Sequence, residues 1–395
     1  MECNDVYIVS ACRTAIGAFN GQFSKIPAIN LGSTVIQECF KRANVSPENV
    51  SEVIMGHVLT AGQGQNPARL ASKNAGIPIE VPSYTVNMLC GSGLKAIALG
   101  YQSVKSGDSD FVICGGQENM TLAQHAAHVR AGVKFGSIDL KDTMLVDGLV
   151  DTFHGVHMGV TAEFIAQKYN VSREAQDNFA LQSQMKAAEA IRNGHFVKEV
   201  VAVAQLKPPM LLTNDEFVKP DTSIEKLSKL NTPFEKDASK SPSVTAGNAS
   251  GINDGAAAVM LCSASQIKSR NLKPLARIVA FAQSGLEPME MGLGPVKAVE
   301  LVLKRSGWSK EEVDLFELNE AFASQSLVVV DQLGLDVKKI NISGGAIALG
   351  HPIGASGARI LVTLIYNLQR TQLTKGVAAL CIGGGMGIAM AIERL

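Results

Sequence analysis

One cysteine of the chain, Cys90, stands where a strand-like segment turns through two glycines into an apolar, helix-like segment. The start of a helix presents free N–H groups and partial positive charge, which predicts that the thiolate form of Cys90 is favoured. Gly91 and Gly93 would let a substrate carbonyl approach the backbone closely. The pattern is typical of a nucleophile, but a buried cysteine that packs as a small apolar side chain fits it equally well.

A histidine occupies the equivalent junction near the C-terminus. His351 lies within the glycine-rich stretch 345–357 and is followed directly by Pro352. If two similar helix starts meet at one interface, His351 and Cys90 would form a Cys/His couple. A lone histidine with a packing role is the alternative.

Two further cysteines precede glycine runs. Cys381 is followed by Ile382 and the triple glycine 383–385, and Cys114 is followed by two glycines. A thiol beside accessible backbone N–H groups indicates a base or nucleophile next to an oxyanion-binding site. The pattern leaves open which of Cys114 and Cys381 is functional.

A fourth loop of interest follows another strand-like segment. Asn319 and Glu320 place an amide and a carboxylate side by side at its end. The four loops occur in a fixed order along the chain, so together they indicate an active site more strongly than any one of them does.

The elements that would position these loops alternate between helix and strand. In the first part of the chain we predict a helix at Leu31–Ala43, a strand at Val53–Met55, a helix at Gly93–Lys105 and a strand at Phe111–Cys114. Apolar residues at helical spacing define the first helix. Such alternation predicts an α/β protein with a mostly parallel sheet covered on both faces.

The pattern then recurs. Residues 41–50 share Lys, Arg, Ser, Glu and Val with residues 304–313, at an offset of 263 positions. Ser92-Gly93 recurs as Ser356-Gly357, and the strand before Gly115-Gly116 recurs as the strand before Gly383-Gly384, both in the same order. We therefore predict two duplicated halves.

The segment between the halves differs from them in residue composition. It contains a predicted helix at Arg173–Gly194 and a Lys- and Pro-rich stretch, 207–240, in which lysines and acids balance. The balanced charges are best explained by a solvated lid surface, although a long insertion on a rigid α/β scaffold often holds a ligand. We predict an N-terminal half from 1–118 with 246–268, an inserted domain at 119–245, and a C-terminal half at 269–395.

Composition excludes several classes of protein. The 395 residues are 46% hydrophobic and 18% charged, which is typical of a globular chain and not of a disordered one. The 36 basic residues balance 36 acidic residues, so no net charge attracts nucleic acid or an anionic membrane. Seven cysteines without C-x-x-C spacing indicate free thiols in a reducing compartment, and no residue pattern predicts a metal site.

Neither a membrane span nor a targeting segment is predicted. The long uncharged stretches 341–358 and 376–392 are interrupted by turn-forming residues, so they indicate buried strands and loops. The strand-like Val6–Val9 leaves five residues before it, too few for a signal or transit peptide. We therefore expect a cytosolic protein.

Four motifs together resemble those of the thiolase family: C-G-S-G at Cys90, N-E-A-F at Asn319, G-G-A-I-A-L-G-H-P-x-G-A-S-G around His351, and C-x-G-G-G-M-G at Cys381. The resemblance runs nearly end to end. It implies a five-layered αβαβα fold of two duplicated halves with an inserted coenzyme A-binding loop domain, assembled as a homotetramer or homodimer. It also implies an acyltransferase that reversibly condenses two acetyl-CoA to acetoacetyl-CoA and CoA through an acetyl-cysteine, with no cofactor.

The resemblance assigns roles to five residues. Cys90 would be the nucleophile that carries the acyl group, and Cys381 would be the acid/base that removes a proton from acetyl-CoA. His351 would assist Cys90 and, with a water held by Asn319, bind the enolate oxygen. The N–H groups of Cys90 and Gly383 would bind the oxygen of the acyl-enzyme.

Five more residues would hold coenzyme A. His157 and Met158 would lie near the thioester end, and Ser250 would contact the pantetheine. Lys219 and Thr222 stand where relatives often have Arg and Ser at the phosphate end. Lys binds phosphate as a point charge, without the bidentate geometry of Arg.

Three other functions share part of this pattern. A β-ketoacyl synthase has a duplicated fold and a nucleophilic cysteine, but it normally uses two His or His and Asn and takes its acyl group from a carrier protein. A non-catalytic acyl-CoA or sterol-carrier module would not need the four loops. A degradative 3-ketoacyl-CoA thiolase would accept longer chains, whereas the Val156–Gly159 loop resembles that of short-chain members.

Overall fold

The structure, a computed structural model, describes residues 5–206 and 209–395. Cys3 and Lys207 therefore lie outside the described residues. The first half contains β1 (Val6–Thr14), β2 (Gly17–Ala18), α1 (Ala28–Ala43), β3 (Glu52–Gly56), α2 (Pro67–Asn74), β4 (Ser83–Val86), α3 (Ser92–Ser106) and β5 (Phe111–Asn119).

An insertion then separates β5 from the strand that completes this half. It contains β6 (His125–Ala126), β7 (Lys141–Asp142), β8 (Val150–Asp151), β9 (Val156–His157), α4 (Met158–Lys168), α5 (Arg173–Arg192), β10 (Val200–Val201), β11 (Val203–Leu206), β12 (Pro209–Leu212) and α6 (Ile224–Ser228). The half ends with β13 (Asn253–Ser263) and α7 (Ala264–Arg270).

The second half follows without an insertion. It contains β14 (Ala276–Gly285), α8 (Gly294–Ser306), β15 (Leu315–Leu318), α9 (Ala323–Leu333), α10 (Ala346–Leu349), α11 (Ser356–Thr371), β16 (Lys375–Ile382) and β17 (Met386–Arg394). Short 3-10 or π turns lie at Pro47–Asn49, Leu145–Leu149, Ala238–Lys240, Pro288–Leu293 and Val337–Lys339.

The strand order confirms the duplication. The sheet runs β15-β16-β17-β14-β1-β13-β5-β3-β4, so each half has its own ordered set of strands and the two first strands, β1 and β14, meet in the middle. Those two pair antiparallel, with Val6 opposite Ile278. β3 and β15 begin 263 positions apart, and β5 and β16 begin 264 apart, as the sequence offset predicts.

The prediction of a mostly parallel sheet is wrong. Only the pairs β3–β4, β3–β5 and β15–β16, together with the short β1–β10 pair, are parallel, whereas the remaining pairs of the large sheet are antiparallel. The last strand of each half accounts for much of the antiparallel pairing that the sequence did not predict. β17 returns from β16 through a tight turn, and β13 returns through the insertion, so each lies antiparallel to its neighbour.

Five layers result, as the family resemblance implies. α3 and α11 pack against each other in the middle, and their apolar side chains share one core with strands of both halves. α1 and α2 cover the outer face of the first half. α8 and α9 cover the outer face of the second half.

Two glycines permit the close approach of the central helices. A Cβ on Gly93 of α3 would lie 2.8 Å from the backbone N of Ala358, and a Cβ on Gly357 of α11 would lie 2.5 Å from the backbone N of Leu94. These distances are shorter than real Cβ contacts, so both positions need glycine at this crossing. The repeated Ser-Gly pair of the sequence thus marks the contact between the halves.

The insertion is tied to both halves by buried polar contacts. Arg13 of β1 bonds to Glu199 and, through two guanidinium nitrogens at 2.7 and 2.8 Å, to Asp215. On the other side, Ser183 of α5 donates to Glu320 at 2.6 Å. Among the described residues, no helix is both long and apolar enough to cross a membrane.

Candidate active site

Loops from both halves and from the insertion enclose a cavity of about 420 Å³. Cys90, His351, Cys381 and Gly383, which the sequence singles out separately, all line it. The structure therefore brings these four predicted residues together, although they are up to 293 positions apart in the chain.

The backbone at Cys90 forms a constrained turn. Leu89, the residue before it, has a positive φ of 48°, which is uncommon for a branched side chain and must be held by its surroundings. Ser92 provides that support, because its Oγ accepts from Met88 N at 2.8 Å and donates to Leu89 O at 2.6 Å. The helix α3 begins two residues after Cys90, so the sulfur lies at its N-terminal end, as predicted.

The electrostatic consequence differs from the prediction. Burial raises the pKa of the Cys90 thiol to about 11, and the charge of Glu118 acts in the same direction. The backbone N–H groups of Gly383 and of Cys90 itself lower that pKa, but by less than burial raises it. The predicted resting thiolate is therefore wrong, because desolvation outweighs the N–H groups. Cys90 needs a base to become a nucleophile.

His351 lines the same cavity as Cys90. It is buried, and burial followed by the charge of Arg359 lowers its pKa to about 3, so its imidazole is neutral at physiological pH. Nδ1 lies 2.6 Å from Ser356 Oγ, whose proton is donated to Pro352 O at 2.9 Å. Ser356 Oγ must therefore accept a proton from Nδ1, which leaves Nε2 as the acceptor. Nε2 has no hydrogen-bond partner among the described residues.

Asn319 stands behind His351 and does not line the cavity itself. Its amide nitrogen is 3.4 Å from His351 Nδ1, and its backbone N donates to Ala379 O at 3.0 Å at the end of β15. The buried Oδ1 of Asn319 has no partner in the described part of the chain, so it is free to accept a hydrogen bond. Glu320, by contrast, points away and is bonded to Asn341 and the Ile347 N–H.

Cys381 lies next to the last residue of β16 and lines the cavity. Burial, followed by the negative charge of a Cys90 thiolate, raises the pKa of Cys381 well above its ordinary value. The turn that follows requires glycine, since Gly384 and Gly385 have φ values of 77° and 83°. A Cβ on Gly383 would lie 3.1 Å from Leu89 Cδ1 and 3.3 Å from Met158 Cε, so this N–H sits in a closely packed wall.

The alternative base, Cys114, does not reach the site. It lies in β5 and is fully buried in the central core, beside Gly100 of α3. Burial raises its pKa well above the ordinary value. Of the two cysteines that precede glycine runs, only Cys381 lines the cavity.

Four of the residues predicted to bind coenzyme A line the same cavity: His157, Met158, Lys219 and Ser250. His157 caps α4, where its Nδ1 accepts from Gly159 N at 3.0 Å, and its ring stacks on Phe234 at 4.8 Å. Burial lowers the pKa of His157, so the neutral ring carries its proton on Nε2. That N–H is the donor that His157 has left for a ligand.

Lys219 and Thr222, the residues predicted for the phosphate end of coenzyme A, line a second cavity that adjoins the first. Lys219 lines both the first cavity and a second one of about 260 Å³, whereas Thr222 lines only the second. Lys219 Nζ lies 5.3 Å from the centre of the Phe217 ring, a cation–π distance. Phe217, Lys219 and Ala246 border both cavities, so the two spaces adjoin.

Sequence reasoning missed several residues of the site. Ser356 orients His351, Ser92 supports the Cys90 turn, and Phe234 stacks on His157. The repeated Ser-Gly pair was a signal for both serines, because each opens a central helix beside a reactive residue. Nothing in the local sequence indicates Phe234, which reaches the cavity only through the fold of the insertion.

Comparison with known proteins fits this geometry. Residues 6–265 match the model of the thiolase N-terminal domain, and residues 272–394 match that of the thiolase C-terminal domain. The chain belongs to the thiolase family. The thiolase fold and its reactive loops thus account for nearly the whole sequence.

Individual thiolases are similar over their full length. "Acetyl-CoA acetyltransferase, cytosolic" from Rattus norvegicus is 55% identical over 391 residues, 98% of each chain. "Acetyl-CoA acetyltransferase" from Cupriavidus necator is 52% identical over 99% of each chain. The crystal structure of the Bacillus anthracis acetyl-CoA acetyltransferase superposes with a TM-score of 0.96, at 41% identity and 99% coverage of both chains.

The protonation state of the Cys90 thiol in the free enzyme can be tested by alkylation. Of the six described cysteines only Cys90 is partly exposed, so limiting iodoacetamide should alkylate it first, and acetyl-CoA should protect it. Because burial raises its pKa to about 11, the alkylation rate should rise about tenfold per pH unit from pH 7 to pH 10. Peptide mapping across this range measures both effects. A rate that levels off near pH 7 would mean a resting thiolate.

Proposed function

We propose that this thiolase is an acetyl-CoA acetyltransferase that reversibly condenses two acetyl-CoA into acetoacetyl-CoA and CoA. The observation that carries the proposal is the shared cavity of Cys90, His351 and Cys381, with the N–H groups of Gly383 and Cys90 at the nucleophile sulfur. A nucleophile, a neutral imidazole and a second thiol are what acyl transfer followed by α-proton removal requires.

In the first step the proton of Cys90 moves to His351 Nε2, which has no other partner in the described residues. The sulfur attacks the acetyl carbonyl, and the N–H groups of Cys90 and Gly383 donate to the oxyanion that develops. Collapse of the tetrahedral intermediate breaks the bond to CoA. Cys381 gives its proton to the leaving CoA thiolate and becomes a thiolate itself.

The second step uses that thiolate as the base. Burial raises the pKa of Cys381, so its thiolate, once formed, is a strong base for the α-proton of a second acetyl-CoA. His351, which gained a proton on Nε2 from Cys90, donates a hydrogen bond from this Nε2–H to the enolate oxygen. Asn319 Oδ1 would hold a water whose other proton points at the same oxygen.

The enolate carbon then attacks the acetyl group on Cys90 and releases acetoacetyl-CoA. Cys90 leaves as a thiolate and takes back its proton from His351, so the site returns to its neutral resting state. Every proton in the cycle is carried by a side chain of the cavity. We therefore propose that the reaction needs no cofactor or metal beyond its CoA thioesters.

Coenzyme A is proposed to lie along the two adjoining cavities. Its thioester would lie near Met158 and His157, whose Nε2–H would bind the pantetheine, and Ser250 would contact the pantetheine further out. The nucleotide would reach the second cavity, where Lys219 and Thr222 supply a cation and a hydroxyl.

We also propose a cytosolic homodimer or homotetramer. Two similar rodent proteins are named cytosolic. The segment 129–140 exposes five large apolar side chains, of which Phe135 is completely exposed. β4 ends the strand order of the large sheet, and its Tyr84 is partly exposed. Exposed apolar segments and free sheet edges are usually covered in the working protein.

Thiolysis of acetoacetyl-CoA by CoA, followed by loss of the 3-ketoacyl-CoA–Mg absorbance, tests the function directly. We expect kcat/KM for the four-carbon substrate to exceed that for a sixteen-carbon substrate at least tenfold. Equal values would indicate a degradative 3-ketoacyl-CoA thiolase. Transfer from an acyl carrier protein but not from CoA would indicate a β-ketoacyl synthase, and no turnover of any thioester would indicate a carrier module.

Replacing one thiol separates the two steps. Cys381→Ser keeps the side-chain volume nearly unchanged, but its hydroxyl ionises far less readily than a thiol, so α-proton removal should slow by roughly two to four orders of magnitude. The variant should still form acetyl-Cys90 from radiolabelled acetyl-CoA. Cys90→Ala should lose both the acetyl-enzyme and condensation, and Cys114→Ser serves as the control outside the cavity. Near-normal condensation by Cys381→Ser would refute the assignment.

A further inference from the structure

The second cavity carries an ion pair that the proposed mechanism does not use. Lys226, in α6, donates to both the backbone O and the carboxylate of Asp221, and both side chains line this cavity together with Lys219. These three residues are the only charged ones that line it in the described part of the chain. The space therefore contains two cations, one of which is paired with an acid.

The segment that carries the pair is fixed to the rest of the insertion. Gln184 of α5 accepts from Lys219 N at 2.8 Å, and Thr222 donates to Lys219 O at 2.8 Å. At the other end of the segment, Arg173 donates to the carbonyls of Leu227 and Leu230. The positions of Asp221 and Lys226 relative to the cavity are thus set by contacts at both ends.

The chemistry of the cavity indicates which ligand the pair would meet. The adjoining first cavity ends at Cys90, where the thioester reacts, and the two cavities share Phe217 and Lys219. A CoA thioester that extends from Cys90 past Phe217 brings its diphosphate and its ribose 3′-phosphate into the second cavity. Phosphate oxygens accept charge-assisted hydrogen bonds from lysine, so they compete with the carboxylate of Asp221.

We propose that Lys226 is a phosphate-binding residue for CoA and that Asp221 lowers CoA affinity by competing with phosphate for Lys226. This proposal rests on the proposed function, since it assumes that a CoA thioester occupies both cavities. The hydrogen bond from Lys226, followed by the charge of Lys226 and, more weakly, that of Lys219, lowers the pKa of Asp221, so the acid is ionised and able to compete at neutral pH. Asp221 would thereby set how strongly the enzyme prefers CoA over thiols that lack the nucleotide.

Calorimetric titration of the full-length protein with CoA, dephospho-CoA and pantetheine tests this. Lys226→Met should weaken CoA about fivefold relative to pantetheine, and Asp221→Asn should tighten CoA about two- to fivefold at low salt, the range of exposed ion pairs. High salt should reduce both effects. A loss seen with CoA but not with dephospho-CoA would locate the contact at the 3′-phosphate, and a loss seen with both would locate it at the diphosphate.

The double variant Lys226→Met/Asp221→Asn decides whether the two residues act on each other. If Asp221 competes for Lys226, then Asp221→Asn should have no effect once Lys226 is Met. Equal tightening in both backgrounds, or an unchanged ratio of CoA to pantetheine affinity in Lys226→Met, would overturn the proposal. Glu225→Gln and Lys229→Met are matched controls, because they remove a similarly exposed ion pair, between α6 and the residue that follows it, which lies outside the cavity.

The same titration separates this proposal from the proposed function. Binding of pantetheine and CoA by every variant, with no dependence on Lys226, would sink the proposal and leave the acyl-transfer site intact. A protein that binds neither pantetheine nor CoA would contradict the proposed function itself.

Discussion

The contact between the two central helices is the constraint on which the site depends. Gly93 of α3 and Gly357 of α11 let the first turns of these helices touch backbone to backbone. Each turn is preceded by a loop with one reactive residue, Cys90 or His351. Because the helices cross at their N-terminal ends, the two loops face the same cavity. A side chain at either glycine would separate the halves and, with them, Cys90 and His351.

The duplication places two similar helix starts at one cavity, but each carries a different reactive side chain, Cys90 or His351. In both halves a serine opens the central helix and bonds to the loop before it. Ser92 holds the backbone of the Cys90 turn, whereas Ser356 bonds to the imidazole of His351 and fixes its tautomer. Burial keeps both reactive groups neutral at rest. The N–H groups of Cys90 and Gly383 act on the Cys90 sulfur and lower its pKa, so they are in position before any charge forms there.

Much of this could be predicted from the sequence. The helices and strands predicted in the first half, the duplication and the four loops at Cys90, Asn319, His351 and Cys381 were visible as residue patterns. The antiparallel pairings were not, because alternating helices and strands do not reveal that the last strand of each half returns beside its neighbour. The ionisation state of Cys90 was also mispredicted, since a sequence shows the helix start but not the depth of burial that outweighs it.

The central claim is that the proton-transfer pair is uncharged before substrate binds. Nitrogen-15 NMR of protein with labelled histidine measures this at His351, whose signals are assigned by their loss in His351→Asn. Since its pKa is lowered to about 3, His351 should show one protonated nitrogen, Nδ1, and one unprotonated nitrogen, Nε2, throughout pH 5 to 9. Two protonated ring nitrogens at pH 7 would indicate a resting imidazolium–thiolate pair and would contradict the account.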